Sequence, residues 1–237
     1  MPERVTGTEG TQILSEEDNR QRAHRILTEV RELDLSFMEK ALVAATRLNE
    51  GQTRKGSQIP YISHLMAVAA LVHEAGGDEE MAAAALLHDS VEDQEADYAD
   101  IEALFGPRVS EIVKGCTDVG ATDSSEDEHT VENSWRRKQK YLEQLKDEKD
   151  GGVLRVSLAD KLHNARSILS DYRSVGDELW GRFNVGKQGQ LDYYEALAEI
   201  LGSKLPADAQ AKELRIVVDD LKREVGEERS DPSQVPS

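Results

Sequence analysis

An all-α fold is predicted by three features of the chain. Apolar residues recur at three- and four-residue spacing in segment after segment. No stretch alternates apolar and polar residues as a half-buried strand does, and Gly, Pro and small polar clusters separate the segments at intervals that suit helices. No Gly-x-Gly-x-x-Gly and no internal repeat occurs. A length of 237 residues suits one sizeable domain with tails.

Taken in order, residues 1–19, rich in Thr, Gly and Glu, read as a flexible N-terminal segment, followed by a helix from Arg20 to Leu33. Residues 35–51 place Leu35, Met38, Leu42, Ala45 and Leu48, with Val43 beside them, at helical spacing. TRKGSQIP (53–60) is a loop, because Gly56 and Pro60 both interrupt a helix. A helix from Tyr61 stops at Gly76-Gly77, and Asp78 caps the next, DEEMAAAALLHDSVED. ADIEALFG and PRVSEIVKGC are two short helices divided at Gly106-Pro107, and 118–133 is an acidic loop. SWRRKQKYLEQLK is amphipathic, GGVLRVSLADKLHNARSILSDY is a long helix with an apolar first half, and KQGQLDYYEALAEILG follows. DAQAKELRIVVDDLKREV carries Leu214, Val217, Val218, Leu221 and Val225 on one stripe. The expected organisation is a main helical domain over 20–205, an amphipathic C-terminal helix over 206–225 and a disordered tail over 226–237.

Composition narrows the function classes. Apolar residues make up 38% and charged residues 32%, enough for a core beneath a heavily solvated surface. The formal charge of −18 argues against duplex DNA or an anionic membrane as partner. A single cysteine, Cys116, excludes a disulfide framework within the chain and fits a reducing compartment. The first residues lack an apolar signal core, and no run approaches the roughly 18 apolar residues of a membrane span. The expectation is a soluble cytoplasmic protein with no nucleic-acid or membrane partner; a homo-oligomer stays open.

The chemistry is carried by AALLHDSVED (84–93). Ala84, Ala85, Leu86 and Leu87 belong in a core, yet His88, Asp89, Glu92 and Asp93 follow at once, and such groups are costly to bury uncompensated. On a continuous helix His88 and Glu92 lie one turn apart, as do Asp89 and Asp93. Asp160 and Asn164 repeat that spacing in SLADKLHNAR, and His64 stands among Leu65, Met66 and Val68. Taken singly, each has a plain structural explanation: a helix cap for His88-Asp89, a satisfied core imidazole for His64, an ion pair with Lys161 or Arg166 for Asp160. Three polar intrusions on three apolar helices together point to a shared divalent cation, whose charge offsets buried anions and whose ligands include neutral imidazole and carboxylate. Two His and two Asp suit Mn²⁺, Fe²⁺, Co²⁺ or Zn²⁺ better than Ca²⁺, and the absence of thiolates argues against a structural zinc site. His24, His73 and His129 read as solvated, His163 as structural and Cys116 as an inert core thiol.

RKGSQIPYISHLMAVA, AALLHDSVED, FGPRVSEIVKGCTD and SLADKLHNARSI, in this order over roughly residues 36–202, resemble the HD-domain hydrolases of the RelA/SpoT type. Those helical enzymes remove the 3′-pyrophosphate from guanosine tetra- and pentaphosphate, and no synthetase or regulatory segment follows here, as in the stand-alone small alarmone hydrolases. The resemblance implies Mn²⁺ held by His64, His88, Asp89 and Asp160. It implies Glu92 and Asp93 as the catalytic acidic pair, and Asn164 beside the reacting phosphate. Arg54 and Lys55 correspond to the basic pair of the substrate loop, and Tyr194 to a substrate-contacting tyrosine. Lys161 and the RRKQK run (136–140) are further cations available to an anionic substrate, although for 136–140 a merely solvated helix face serves equally well. One departure is Asn49, where many members carry a histidine; that position is not a ligand. The rival readings are a hydrolase of a related nucleotide, the adenosine alarmone ppApp or the 2′-phosphate of NADPH, and an inactive metal-bound module whose acidic loop and C-terminal helix bind a partner.

Overall fold

The computed structural model describes residues 15–117 and 130–227. The described chain is helical: α1 Glu16–Arg31, α2 Phe37–Leu48, α3 Ile62–Glu74, α4 Glu79–Leu87, α5 Ser90–Gln94, α6 Tyr98–Phe105, α7 Pro107–Cys116, α8 Val131–Asp147, α9 Gly151–Val175, a 3₁₀ segment Gly176–Arg182, α10 Gly186–Lys204 and α11 Ala209–Glu227. Among the described residues the only β pairing is an isolated bridge, Thr53 to Pro60. The all-α expectation holds.

Buried residues of every helix except the short α5 join one apolar core. α4 is its axis: Ala82, Ala83, Ala84, Ala85, Leu86 and Leu87 are all buried, and α2, α3, α7 and α9 pack around it. Four consecutive alanines let neighbouring backbones approach closely, which brings the start of α3, the end of α4 and the middle of α9 to one point. Asp78 caps α4 by accepting from the Met81 N–H at 2.8 Å, as the sequence indicated. α11 lies on α9 and α10, with Leu214, Val217, Val218, Leu221 and Val225 all buried. Its apolar stripe is therefore consumed within the chain.

Several boundaries differ from expectation. α1 begins at Glu16, not Arg20, because Ser15 and Asp18 form a capping box. In α2 the buried face is Ala41, Ala44, Ala45 and Leu48, whereas Leu35 and Leu42 are exposed; with alanines on one side, the large residues misstate the phase. α8 starts at Val131, capped by Thr130, inside the stretch read as acidic loop; residues 118–129, His129 included, lie outside the described residues. So do residues 1–14 and 228–237, while α11 runs to Glu227, past the expected end at 225. The helix through DSVED is broken. α4 ends at Leu87, and α5 starts after Asp89, whose backbone sits at φ −95°, ψ 0° in the bridge region. The break has a function: neighbours on a continuous helix diverge by about 100°, and here both side chains turn inward.

Candidate metal centre and cleft

α3 delivers His64, the end of α4 His88, the α4–α5 break Asp89 and the middle of α9 Asp160. His64 Nε2 lies 3.2 Å from Asp160 Oδ1 and 4.0 Å from Asp89 Oδ2. His88 Nε2 lies 3.0 Å from Asp89 Oδ2 and 3.7 Å from Asp160 Oδ1. One donor atom each of His64, His88 and Asp160, all buried, fall within 4.8 Å of one another. Asp89 reaches both imidazoles from a less buried position. The structure thus brings together the four residues that the sequence nominated.

The hydrogen bonds fix which ring atoms face inward. His88 Nδ1 donates to the Ala85 carbonyl at 2.8 Å, so in the neutral ring Nε2 is a lone pair. That atom is buried and has no hydrogen-bond partner among the described residues. His64 Nδ1 lies 2.8 Å from His163 Nδ1. Burial, with His64 and Arg54 nearby, pushes the His163 imidazole down to about 4, so two neutral rings share one N–H across this contact. Two imidazole Nε2 atoms therefore converge on the carboxylate oxygens of Asp89 and Asp160. Burial disfavours charge on His88, yet the adjoining Asp89 and Asp160 raise its proton affinity well above the ordinary value. The donor set demands a positive charge at its centre, and a divalent cation fits it.

A second row of residues holds the first. Tyr61 donates its hydroxyl to Asp89 Oδ2. Asp160 accepts from Lys161 Nζ and from Asn164 Nδ2, each at 2.6 Å, and Lys161 also stands 4.8 Å over the Tyr141 ring. Arg54 Nη2 donates to Asn164 Oδ1 at 2.9 Å. Supports of this kind orient ligands and tune their basicity. Tyr61, Tyr141 and the supporting contact of His163 were missed in the sequence, although Tyr61 precedes His64 by one helical turn and His163 falls inside the SLADKLHNAR motif.

Above this cluster opens a cleft of about 660 Å³ lined by Arg54, Lys55, Lys161, Asn164 and Tyr194, with Tyr61 and His163 in its floor. All five predicted cleft residues are there, but Lys161 spends its charge on Asp160. Lys138 lines the cleft 3.8 Å over the Tyr193 ring, whereas Arg136 and Lys140 are exposed. The basic run is thus split between site and solvent. A smaller pocket of about 220 Å³ adjoins, sharing Lys55, Lys138 and Gln190 with the cleft and adding Glu92 and Arg137. Asp93 accepts from Gln52 Nε2 at 3.1 Å. Its carboxyl is pushed up to about 6, first by its packed surroundings and then by the Asp89 charge. Of the remaining candidates, His24 is exposed and bonded to Asp100, and exposed His73 faces the Gly77 carbonyl. Burial pushes the Cys116 thiol up to about 11, which makes it inert. A further groove of about 530 Å³ between α10 and α11 holds none of the predicted site residues.

An all-helical bundle with a buried His-His-Asp cluster beneath a cationic cleft is an architecture suited to binding a metal ion. Residues 41–185 match the family model of the HD domain, and the chain belongs to that family. It is 42% identical over 130 residues to a probable guanosine-3′,5′-bis(diphosphate) 3′-pyrophosphohydrolase of Synechocystis sp., covering 54% of this chain and 16% of that protein. It is 34% identical over 145 residues to the bifunctional (p)ppGpp synthase/hydrolase SpoT of Escherichia coli, covering 61% and 20%. The chain thus spans a fifth or less of these relatives. Among solved structures, one titled as a metazoan ortholog of SpoT that hydrolyzes ppGpp aligns over 82% of this chain and 98% of its own, with TM-score 0.59 and 24% identity. A crystal structure from Listeria monocytogenes aligns over 66% and 96%, with TM-score 0.55 and 28% identity. No described helix is long and apolar enough to cross a membrane.

Proposed function

We propose that this chain is a metal-dependent hydrolase that removes the 3′-pyrophosphate from guanosine 3′,5′-bis(diphosphate) and its pentaphosphate analogue, giving GDP or GTP and pyrophosphate. The observation that carries the reading is the buried cluster of His64, His88 and Asp160, with Asp89 beside it, beneath a cleft whose Arg54 is tied to Asn164. His64, His88, Asp89 and Asp160 would hold the ion, with Mn²⁺ the metal of choice. A divalent cation held by these residues would supply Lewis acidity towards a phosphate oxygen and make hydroxide available near neutral pH, lowering the pKa of water from 15.7 towards about 7. Arg54 and Lys55 hold the pyrophosphoryl group, and Asn164 fixes its orientation while bracing Asp160. Asp93 and Glu92 take the proton from the attacking water. The water oxygen bonds to the phosphorus attached to O3′, the P–O3′ bond breaks, and O3′ leaves with a proton as the 3′-hydroxyl. Aromatic and apolar groups of the same cleft, Tyr193, Tyr194 and Phe183, offer a nucleoside its surface.

Residues 20–205 as the catalytic domain, with 206–225 packed on it, a cytoplasmic setting and a place in the stringent response belong to the same proposal. Turnover of ppGpp, ppApp and NADPH by purified protein with Mn²⁺, products resolved by ion-exchange chromatography, tests it. GDP and pyrophosphate in equal amounts are expected; orthophosphate as the initial product, or faster turnover of ppApp or NADPH, overturns it. No turnover of any of the three leaves the non-catalytic module as the answer.

A further inference from the structure

Gln190 lies on the first turns of α10, in the wall shared by the main cleft and the smaller pocket. Its residue is only 4% exposed, and its Oε1 is buried with no hydrogen-bond partner among the described residues. A buried amide oxygen without a donor destabilises the ligand-free protein. Of the buried amide oxygens without a partner among the described residues, it is the one in the wall of the cleft, within reach of a donor on a bound ligand.

We infer that Gln190 is a specificity-determining residue: its amide oxygen accepts a hydrogen bond from the nucleoside part of the substrate, an N–H of the base or an O–H of the ribose. This rests on the nucleotide reading of the cleft and extends it. The charge pattern selects the donor. Lys55 and Lys138 line both pockets, Arg54 the cleft and Arg137 the smaller pocket, so phosphate groups have cationic partners on either side of the wall. An amide oxygen repels phosphate oxygens but accepts from a neutral N–H or O–H. The part of a bis-phosphorylated nucleoside that passes between its two anionic groups is the nucleoside itself. A site built to pair a substrate N–H or O–H discriminates strongly against analogues lacking it, because its own polar group is then left unpaired.

The experiment compares wild type and Gln190→Leu, both loaded with Mn²⁺, by steady-state kinetics. The substrates are guanosine, inosine, adenosine and 2′-deoxyguanosine 3′,5′-bis(diphosphates). With the guanosine compound, Gln190→Leu is expected to raise KM about tenfold, a ~1.4 kcal/mol loss, with kcat within about twofold. The penalty should vanish on the analogue that lacks the donor: the inosine or adenosine compound if the base supplies it, the 2′-deoxy compound if the ribose does. The thermal midpoint of the ligand-free variant should equal or exceed that of wild type, because an unpaired buried amide has been replaced by an apolar group. A lowered midpoint with an equal penalty on every substrate assigns Gln190 to structure and overturns the inference, as does an unchanged KM. A wild type that turns over none of these compounds refutes the nucleotide reading itself, a result distinguishable from failure of the Gln190 assignment alone.

Discussion

Two of the aspartates of helix α9 occupy contrasting sites, Asp150 capping its N-terminus and Asp160 in its buried middle. Both carboxyls are held below the ordinary range, but by different surroundings. Asp150 accepts two bonds from Arg108, at 2.6 and 2.9 Å, and two from the Gly152 and Val153 N–H groups, at 2.8 and 3.0 Å. Every contact there is donor to acceptor, so the chain satisfies itself. Gly152 is part of that fit, since a Cβ on it would meet Arg108 Nη2 at 2.6 Å. Asp160 also has protein donors, Lys161 and Asn164, yet its Oδ1 faces His64 Nε2 and His88 Nε2 as well. Fourfold contact with donors marks a structural carboxylate; a buried carboxylate facing two imidazoles and a second carboxylate has the donor set of a cation site.

The largest contrast should come from deleting each carboxylate. Asp160→Ala leaves the Lys161 ammonium buried without its partner and removes a ligand. It should cost about 3–5 kcal/mol, strip the metal and abolish turnover. Asp150→Ala should cost about 1 kcal/mol, the loss of an N-cap, and keep metal and activity. Denaturant melts and metal content by atomic emission on both proteins check this. Equal stability losses, or full metal in Asp160→Ala, would erase the distinction between the two ends of the helix.

Next in size is the acidic pair beside the centre, which sharpens the contrast by separating chemistry from folding. Glu92→Gln combined with Asp93→Asn should lower kcat at least ~10²-fold, the scale of a lost general base. Metal content and melting should stay as in wild type, since neither carboxylate is placed as a ligand. Turnover near wild type would remove both from the reaction.

A smaller effect is expected from the loop that reaches the Asp160 end through Asn164. Arg54→Ala with Lys55→Ala should raise KM about tenfold or more, in line with charge-assisted bonds worth about 1.5–3 kcal/mol. The −18 net charge supplies no long-range field that could attract an anionic substrate in their place. Kinetics at fixed Mn²⁺ and ionic strength measure it, and an unchanged KM would detach the loop from substrate binding.

How much of this was legible in the sequence differs between the same two regions. The Asp160 end was readable because buried ionisable residues on apolar helices contradict their surroundings, and three contradictions converge more easily than they coexist by chance. The clustered His64, His88, Asp89 and Asp160 and the cleft's Arg54, Lys55, Asn164 and Tyr194 were all nominated that way or by family resemblance. What stayed hidden depends on backbone direction. The α4–α5 break, which turns Asp89 inward, leaves no Gly or Pro behind. The Tyr61 and His163 supports need the crossing of α3 with α9, and Gln190 in a polar-looking KQGQ run gives no sign of burial. The Asp150 end was harder still, since Arg108 lies 42 residues away in sequence and pairs only once α7 has packed on α9.

The smallest effect concerns pH and isolates the self-satisfied end. The Arg108 guanidinium, ahead of the capping N–H groups, holds the Asp150 carboxyl down to about 2 from an ordinary 3.8. A carboxyl whose folded value is depressed contributes stability that is complete above its unfolded value and is lost as pH falls through the folded one. The advantage of wild type over Asp150→Asn should therefore be constant above about pH 5 and shrink as pH drops through the window from 3.8 towards 2. Because the carboxylate is partly solvated, the difference is expected to stay near or below ~1 kcal/mol and to weaken further in high salt. Urea midpoints of the two proteins at about pH 6 and about pH 3.5, read at low and high ionic strength, measure it. A gap that widens with acid would mean that the carboxyl is held up rather than down, and the pairing with Arg108 would no longer explain the helix start.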